Sequence, residues 1–290
     1  MFVVENTVSA IKSYMVERLG NYYSEREISY FFKTSVCHRL KLNDADFLLA
    51  SEHRLSESDL LFFRSIVKRL QEREPFQYII GETWFYDLKF KIDKRALIPR
   101  PETEELVDVI VKEHKDKTDL KVVDLCSGSG CITIALSKNI TNSTVFGVEL
   151  SQEAIDLAKK NAVLNHSNVS FLSGNVLENL PLEIQEKSID ILVSNPPYIP
   201  LKDKEQMEKN VLDFEPHMAL FVSDENPLLF YKAIAEHGVK FLNENGILYL
   251  EIHERFGKET KEMLETKGYK TVKIIKDLQG KDRMIKASFN

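Results

Sequence analysis

Asn195, Pro196, Pro197 and Tyr198 follow Ser194 and an apolar run at residues 189–193, where a buried strand is expected to end. Proline has no N–H and fixes φ, so this loop is stiff and its carbonyl oxygens have few local partners. Such a loop suits a group that donates hydrogen bonds. An –NH2 on a planar carbon offers two N–H donors and a lone pair tied up in conjugation. The Asn195 side-chain oxygen and the Pro196 carbonyl can each accept one of those hydrogens. Holding both favours pyramidalisation of the nitrogen as its lone pair turns toward an electrophile, so the grip strengthens as charge develops. Tyr198 is expected to stack on the planar group. Transfer in such a site needs proximity and alignment more than a strong base. The plainer alternative is a rigid proline turn.

A second constellation lies upstream, in VVDLCSGSGCITIAL at residues 122–136. Asp124 closes a strand, and Cys126, Ser127, Gly128, Ser129 and Gly130 form the loop before a helix. Glycines there let backbone approach a ligand, and the helix N-terminus offers free N–H groups. The pattern is not a dinucleotide fingerprint, because Thr133 stands where GxGxxG needs its last glycine. Asp124 is also unwelcome beside a pyrophosphate and suits a cationic ligand that carries an amine. Glu149, at the end of the next strand, stands where such folds place a carboxylate that accepts from ribose hydroxyls. A nucleoside with an amino-acid arm satisfies both carboxylates, and that ligand is S-adenosylmethionine. In an open α/β sheet ligands lie beyond the strand C-termini, so both loops are expected to share one cleft. The chemistry is then methyl transfer to an amide or an exocyclic amine. Asn-Pro-Pro-Tyr alone leaves both glutamine and adenine open as acceptors.

The elements that must position these loops are legible in outline. Up to about Arg73 the apolar spacing is helical, with Ser24 and Glu27 at capping-box spacing, Asn43 and Ser56 or Ser58 as further caps, and Gly20 where a helix would stop. Around 84–92 the period changes to two, which predicts a half-buried strand with a turn near Asp93 and Lys94. From about Glu102 helix and strand patterns alternate, with Ser151 capping one helix. The chain ends in a hairpin that turns near Gly280. That order implies an open, mostly parallel sheet.

Together these motifs resemble class I S-adenosylmethionine-dependent methyltransferases. Further stretches at residues 75–81 (PFQYIIG), 85–106 (FYDLKFKIDKRALIPRPETEEL), 215–221 (EPHMALF) and 280–285 (GKDRMI) resemble the release-factor glutamine N5-methyltransferases over nearly the whole chain. The resemblance implies a Rossmann-like, mostly parallel seven-stranded sheet with an antiparallel C-terminal hairpin. The implied organisation is a helical substrate-docking domain over 1–82, a β-hairpin linker over 83–101 and a methyltransferase domain over 102–290. It implies S-adenosylmethionine as cofactor and, as partner, a class 1 peptide chain release factor methylated on the glutamine of its Gly-Gly-Gln loop. Asn195, Pro196 and Tyr198 would be catalytic, and Pro197, Arg100 and Glu102 would join them around the substrate. Arg100 and Glu102 have a structural reading too, as an ion pair. Asp124, residues 126–130, Glu149, Asn175, Val176 and Asn195 would hold the cofactor. The chain departs from the family pattern at Cys126, which replaces a glycine, and at Glu149, which replaces Asp. It departs again at Asn175 and Val176, which replace Asp and an aromatic, at residues 221–226, which lack a glycine pair, and at His253, which replaces a glycine. A requirement for positive φ at Cys126 would strain the loop.

Composition narrows the alternatives. Hydrophobic content of 43% and charged content of 29% are those of a globular domain, and the net charge is −6. Residues 1–81 hold eleven basic and eleven acidic side chains. A broad phosphate-tracking face is therefore not expected, which weighs against an adenine-N6 methyltransferase on DNA or RNA. A ribosomal-protein glutamine methyltransferase is the nearer alternative, and a non-catalytic cofactor-binding module the more distant one. Three cysteines without paired spacing, and histidines without ligand spacing, predict neither a disulfide framework nor a metal site. A reducing cytoplasm fits that usage. The first twenty residues read as an amphipathic helix rather than a signal peptide, no run reaches membrane-span length, and a monomer is expected.

Overall fold

The computed structural model describes residues 5–290, so the first four residues of the expected N-terminal helix lie outside it. The chain divides into two compact units. One runs to Gly81 and includes Lys209–Phe214; the other comprises Glu82–Glu208 and Glu215–Asn290.

The first unit is helical: α1 (Val8–Leu19), α2 (Glu25–Leu40), α3 (Asp44–Leu49), α4 (Glu57–Gln71) and α5 (Phe76–Ile80). Side-chain oxygens start these helices. Ser24 with Glu27, and Ser56 with Asp59, form reciprocal capping boxes, and Asn43 accepts from the Asp46 N–H. Leu60, Phe63, Val67 and Leu70 recur at helical spacing on α4 and pack against Ile11, Met15 and Leu19 of α1 and Phe32 and Val36 of α2.

The second unit opens with a hairpin that turns inside the stretch whose alternation, taken alone, predicts one strand. Strands β1 (Glu82–Phe85) and β2 (Leu88–Lys91) pair antiparallel, and Tyr86 and Asp87 turn between them with φ of 49° and 60°. Two left-handed residues make the turn that suits strand twist, and Asn-Gly usually supplies them. Here the Glu104 carboxylate accepts from the Tyr86 N–H at 2.8 Å, so the anchor is eighteen residues away and invisible to local pattern.

Then follow α6 (Pro101–His114), β3 (Lys121–Leu125), α7 (Cys131–Asn139), β4 (Thr144–Glu149), α8 (Gln152–Leu164), β5 (Ser170–Ser173) and β6 (Ile189–Ser194). Two-residue strands β7 (Ile199–Pro200) and β8 (Phe221–Val222) flank α9 (Lys209–Phe214), and α10 (Leu229–Phe241), β9 (Leu242–Glu251), α11 (Gly257–Thr266), β10 (Thr271–Lys276) and β11 (Asp282–Ser288) complete the chain. The main sheet has seven strands in the order β10-β11-β9-β6-β3-β4-β5. Neighbours from β9 to β5 run parallel, and β11 is antiparallel to both β9 and β10. Both faces are covered. Val123, Leu192 and Leu248 meet Tyr231 and Ile234 of α10 and Leu264 of α11. Their neighbours Val122, Ile191 and Tyr249 meet Leu106 and Ile110 of α6 and Ile155 of α8. A strand buried on both sides reads as a continuous apolar run, as these do.

Candidate active site

Register puts the functional loops on one edge. Leu125 pairs with Val148 on one side and with Ser194 on the other, so β3, β4 and β6 end at one level. The Ser194 hydroxyl donates to the Leu125 carbonyl at 2.6 Å and the Ser127 N–H to the Val148 carbonyl at 3.1 Å, which ties the three strand ends together. Beyond them lies a cavity of about 330 Å³, lined by Cys126, Gly128, Glu149, Asn175, Val176, Asn195 and Pro197 among others. That volume falls in the range of about 300–1,000 Å³ usual for small-molecule sites.

The glycine loop is built from left-handed residues. Cys126, Gly128 and Gly130 have φ of 63°, 52° and 79°. The two glycines do different work. A Cβ on Gly128 would enter open space, so its hydrogen leaves the backbone bare. A Cβ on Gly130 would come within 2.7 Å of the Phe171 ring and 3.1 Å of Ala158, so this glycine is needed for packing. The strain foreseen at Cys126 is present, since a residue with a Cβ holds the left-handed conformation there. Burial pushes the Cys126 and Cys131 thiols well up, so neither supplies a thiolate.

Glu149 bridges the loops: one oxygen accepts from the Gly128 N–H and the other from the Ser151 N–H, each at 2.9 Å. Each oxygen keeps a further lone pair for a ligand. Asp124 is fully buried and does not line the cavity. Its Oδ2 accepts from the Thr133 N–H at 3.1 Å and hydroxyl at 2.6 Å, while Oδ1 has no partner among the described residues. Burial chiefly, with Glu149 nearby, raises its carboxyl to about 7. Ser127, Ser129 and Gly130 likewise stand behind the cavity wall. Asn175 lines it, but its Oδ1 accepts from the Leu177 N–H and its Nδ2 donates to Glu178, so a local turn orients it. Val176 leaves no ring in the wall; Phe221 and Phe230, from β8 and α10, supply aromatic surface there instead. That pair joins the wall only through the tertiary fold, and nothing near residue 176 announces it.

The Asn-Pro-Pro-Tyr loop is held from behind. Asn195 Nδ2 donates to Thr103 Oγ1 at 3.0 Å, and the Thr103 hydroxyl donates to Glu251 Oε2 at 2.6 Å. The Tyr198 hydroxyl donates to Glu251 Oε1 at 3.0 Å. The Tyr198 hydroxyl thus points to Glu251, and its partly buried ring packs against the core. Burial raises the Glu251 carboxyl, against the two hydroxyls and the Arg283 charge, which favour its ionised form. Sequence reasoning missed Thr103 and Glu251. The available signal was a carboxylate inside the apolar run of β9, because a buried charge needs partners. Among the described residues nothing donates to Asn195 Oδ1 or to the Pro196 carbonyl.

Arg100 and Glu102 do not pair with each other and do not line the cavity. Arg100 Nη2 meets Glu215 Oε1 at 2.5 Å, and Glu215 Oε2 accepts from the Ile98 N–H at 3.1 Å. Glu215, 4% exposed, thus fastens the segment that delivers Arg95, Ala96 and Leu97 to the cavity wall. Among the described residues no group of three or more His, Cys, Asp or Glu side chains is placed to hold a metal ion, and no helix is long and apolar enough to cross a membrane.

A sheet of this order, with a glycine loop, a strand-end carboxylate and a proline-stiffened asparagine on one edge, defines a class I methyltransferase. Residues 102–214 match the family model described as the methyltransferase small domain, and residues 32–81 match that of the PrmC N-terminal domain. The chain is 42% identical to the release factor glutamine methyltransferase of Flavobacterium psychrophilum, over 96% of this chain and 99% of that one. It is 40% identical to the enzyme of the same description from Bacteroides thetaiotaomicron, over 97% and 100%. The chain belongs to the release factor glutamine methyltransferase family. A methyltransferase from Pyrococcus furiosus shares the fold, with a TM-score of 0.54 at 18% identity over 77% of this chain and 99% of that one.

Proposed function

We propose that the protein transfers a methyl group from S-adenosylmethionine to the side-chain amide nitrogen of the glutamine in the Gly-Gly-Gln loop of a class 1 release factor, in the cytoplasm. The observation that carries this reading is that Asn195 and Pro197 share one cavity wall with Gly128 and Glu149. The residues fit the cofactor. Glu149 has lone pairs left for ribose hydroxyls, Gly128 offers bare backbone, and Leu150, Leu177, Met218 and Phe230 make an apolar slot for a base. Asp124 contributes negative potential from behind the wall rather than a direct contact, which suits a ligand with a cationic centre. When bound, S-adenosylmethionine supplies an electrophilic methyl group on a positively charged sulfur.

Asn195 Oδ1 and the Pro196 carbonyl each accept one N–H of the acceptor amide. That grip points the nitrogen lone pair away from the loop and strengthens as the nitrogen gains positive charge. The new C–N bond forms as the C–S bond breaks, and the nitrogen then releases one proton to solvent. No side chain need act as a strong base. The helical unit is assigned the task of docking the protein partner.

The test is single-turnover methylation of a release factor at saturating cofactor, with its Gln→Ala variant, a ribosomal protein and duplex DNA as parallel substrates. Label on the release factor alone is expected; label on DNA or only on the ribosomal protein would replace this reading. Asn195→Ala and Asn195→Asp are each expected to slow transfer by roughly 10²-fold or more. The first loses the acceptor. The second places a charge that stabilises the sulfonium before its charge disperses. Cofactor affinity, measured by calorimetry, should change far less. A variant that binds cofactor and transfers at the wild-type rate would reduce the loop to a stiff turn.

A further inference from the structure

Asn195 can face the cavity with its oxygen or, after a half-turn about its last bond, with its nitrogen. Only the oxygen can grip an N–H. What decides is the proton inventory on the other side. Asn195 Nδ2 is 3.0 Å from Thr103 Oγ1. Thr103 has a single hydroxyl proton, and it goes to Glu251 Oε2 at 2.6 Å. The phenol proton of Tyr198 goes to the other oxygen of the same carboxylate. Glu251 is 1% exposed and accepts one hydroxyl proton on each oxygen, from Thr103 and from Tyr198. Thr103 therefore has no proton left for Asn195 and can only accept from it. The chain runs one way, from the Asn195 amide through the Thr103 hydroxyl to Glu251. Its members stand at the first turn of α6, just beyond β6 and at the end of β9, so three separate elements set one amide.

We propose that Thr103 and Glu251 are positioning residues that hold the Asn195 carboxamide with its oxygen toward the acceptor, touching no substrate atom themselves. The inference rests on the role given to Asn195 above. It also bears on specificity. An outward oxygen favours nucleophiles that carry N–H, whereas an outward Nδ2 would favour a carbonyl or an unprotonated ring nitrogen. Preorganisation of this kind comes from a supporting layer behind the contacting group.

Three variants separate this from a packing role. Thr103→Val keeps the shape without the hydroxyl, Thr103→Ser keeps the hydroxyl, and Glu251→Gln keeps the volume but places an N–H2 where only acceptors stood. The first readout needs no substrate: the side-chain amide signals of Asn195 in the 1H–15N spectrum of the full chain, identified by their absence from Asn195→Asp. The second is single-turnover methylation of the release factor at saturating cofactor, with cofactor affinity measured alongside. Thr103→Val and Glu251→Gln are expected to move the Asn195 amide signals and to slow transfer about tenfold or more, with cofactor affinity within about twofold. Thr103→Ser should restore both. Unmoved amide signals in Thr103→Val, or equal impairment by serine and valine, would overturn the proposal. If even the wild type fails to label a release factor, the functional reading falls, while the amide signals still decide the positioning claim. Should Thr103→Val fail to fold by circular dichroism, Glu251→Gln and Thr103→Ser give the same contrast.

Discussion

Asp124 shows how one residue can oppose the fold it serves. Its carboxylate is fully buried, with one oxygen on Thr133 and the other without a partner among the described residues. Its folded value, raised to about 7 from the usual 3.8, lies above its unfolded one. The folded state therefore binds more protons between these values, and stability falls as pH rises through that window. Asp124→Asn can still accept from Thr133 and carries no charge. The variant is expected to exceed the wild type in unfolding free energy by on the order of 2–4 kcal/mol at pH 8, with the gap closing toward pH 4. It should also bind S-adenosylmethionine more weakly, since the field from behind the wall is gone. Denaturant unfolding at the two pH values and calorimetry check both halves. A variant less stable than the wild type at pH 8 would show that the charge has a partner after all.

At the scale of the element, the loop between β3 and α7 divides its demands. Gly128 and Gly130 are both left-handed, but only Gly130 abuts Phe171 and Ala158. Alanine at either position meets a backbone penalty of about 1 kcal/mol. At Gly130 it also meets a ring that must move, so Gly130→Ala is expected to lower unfolding free energy by about 2–4 kcal/mol. Gly128→Ala should stay near 1 kcal/mol in stability but lose more cofactor affinity, because its methyl projects into open space beside the cavity. Thermal unfolding and cofactor titration of the pair would show opposite rankings. Equal destabilisation by both would refute the division. This loop's boundaries and its glycine positions are plain in the sequence, since strand, turn and helix are local patterns. Which glycine faces a ring and which faces space is not, because Phe171 arrives from β5.

Across the whole molecule, the face of the sheet under α6 carries a buried histidine. His114 Nε2 lies 2.9 Å from the Tyr249 hydroxyl, whose proton goes to Glu113 Oε2, so Nε2–H donates to the phenol oxygen. Its Nδ1 has no partner among the described residues. Burial lowers its folded value to about 4 from 6.5. Between those values the unfolded chain binds the extra proton, so stability is full above about pH 6.5 and is lost as pH falls toward 4. The loss is expected to be about 2–3 kcal/mol. In His114→Gln this part of the pH dependence should vanish, so the two unfolding curves converge on acidification. Parallel curves from pH 7.5 to pH 4.5 would show that His114 does not report on folding.

The sequence by itself determined what short-range physics determines: helix starts at Ser24, Asn43, Ser56 and Ser151, the apolar strands, the glycine loop after β3 and the proline loop after β6. Caps and periodicities act over four residues or fewer, so they are written in order along the chain. Tertiary structure alone decided the partners. Asn195 meets Thr103 ninety-two positions away, Tyr198 meets Glu251 fifty-three away and Arg100 meets Glu215 rather than its near neighbour Glu102. It also turned the Tyr198 ring toward the core and left Asp124 behind the wall. Hydrogen bonds between side chains depend on which strand ends and helix starts converge. That convergence is set by the strand order and register of the sheet as a whole, which no local stretch encodes.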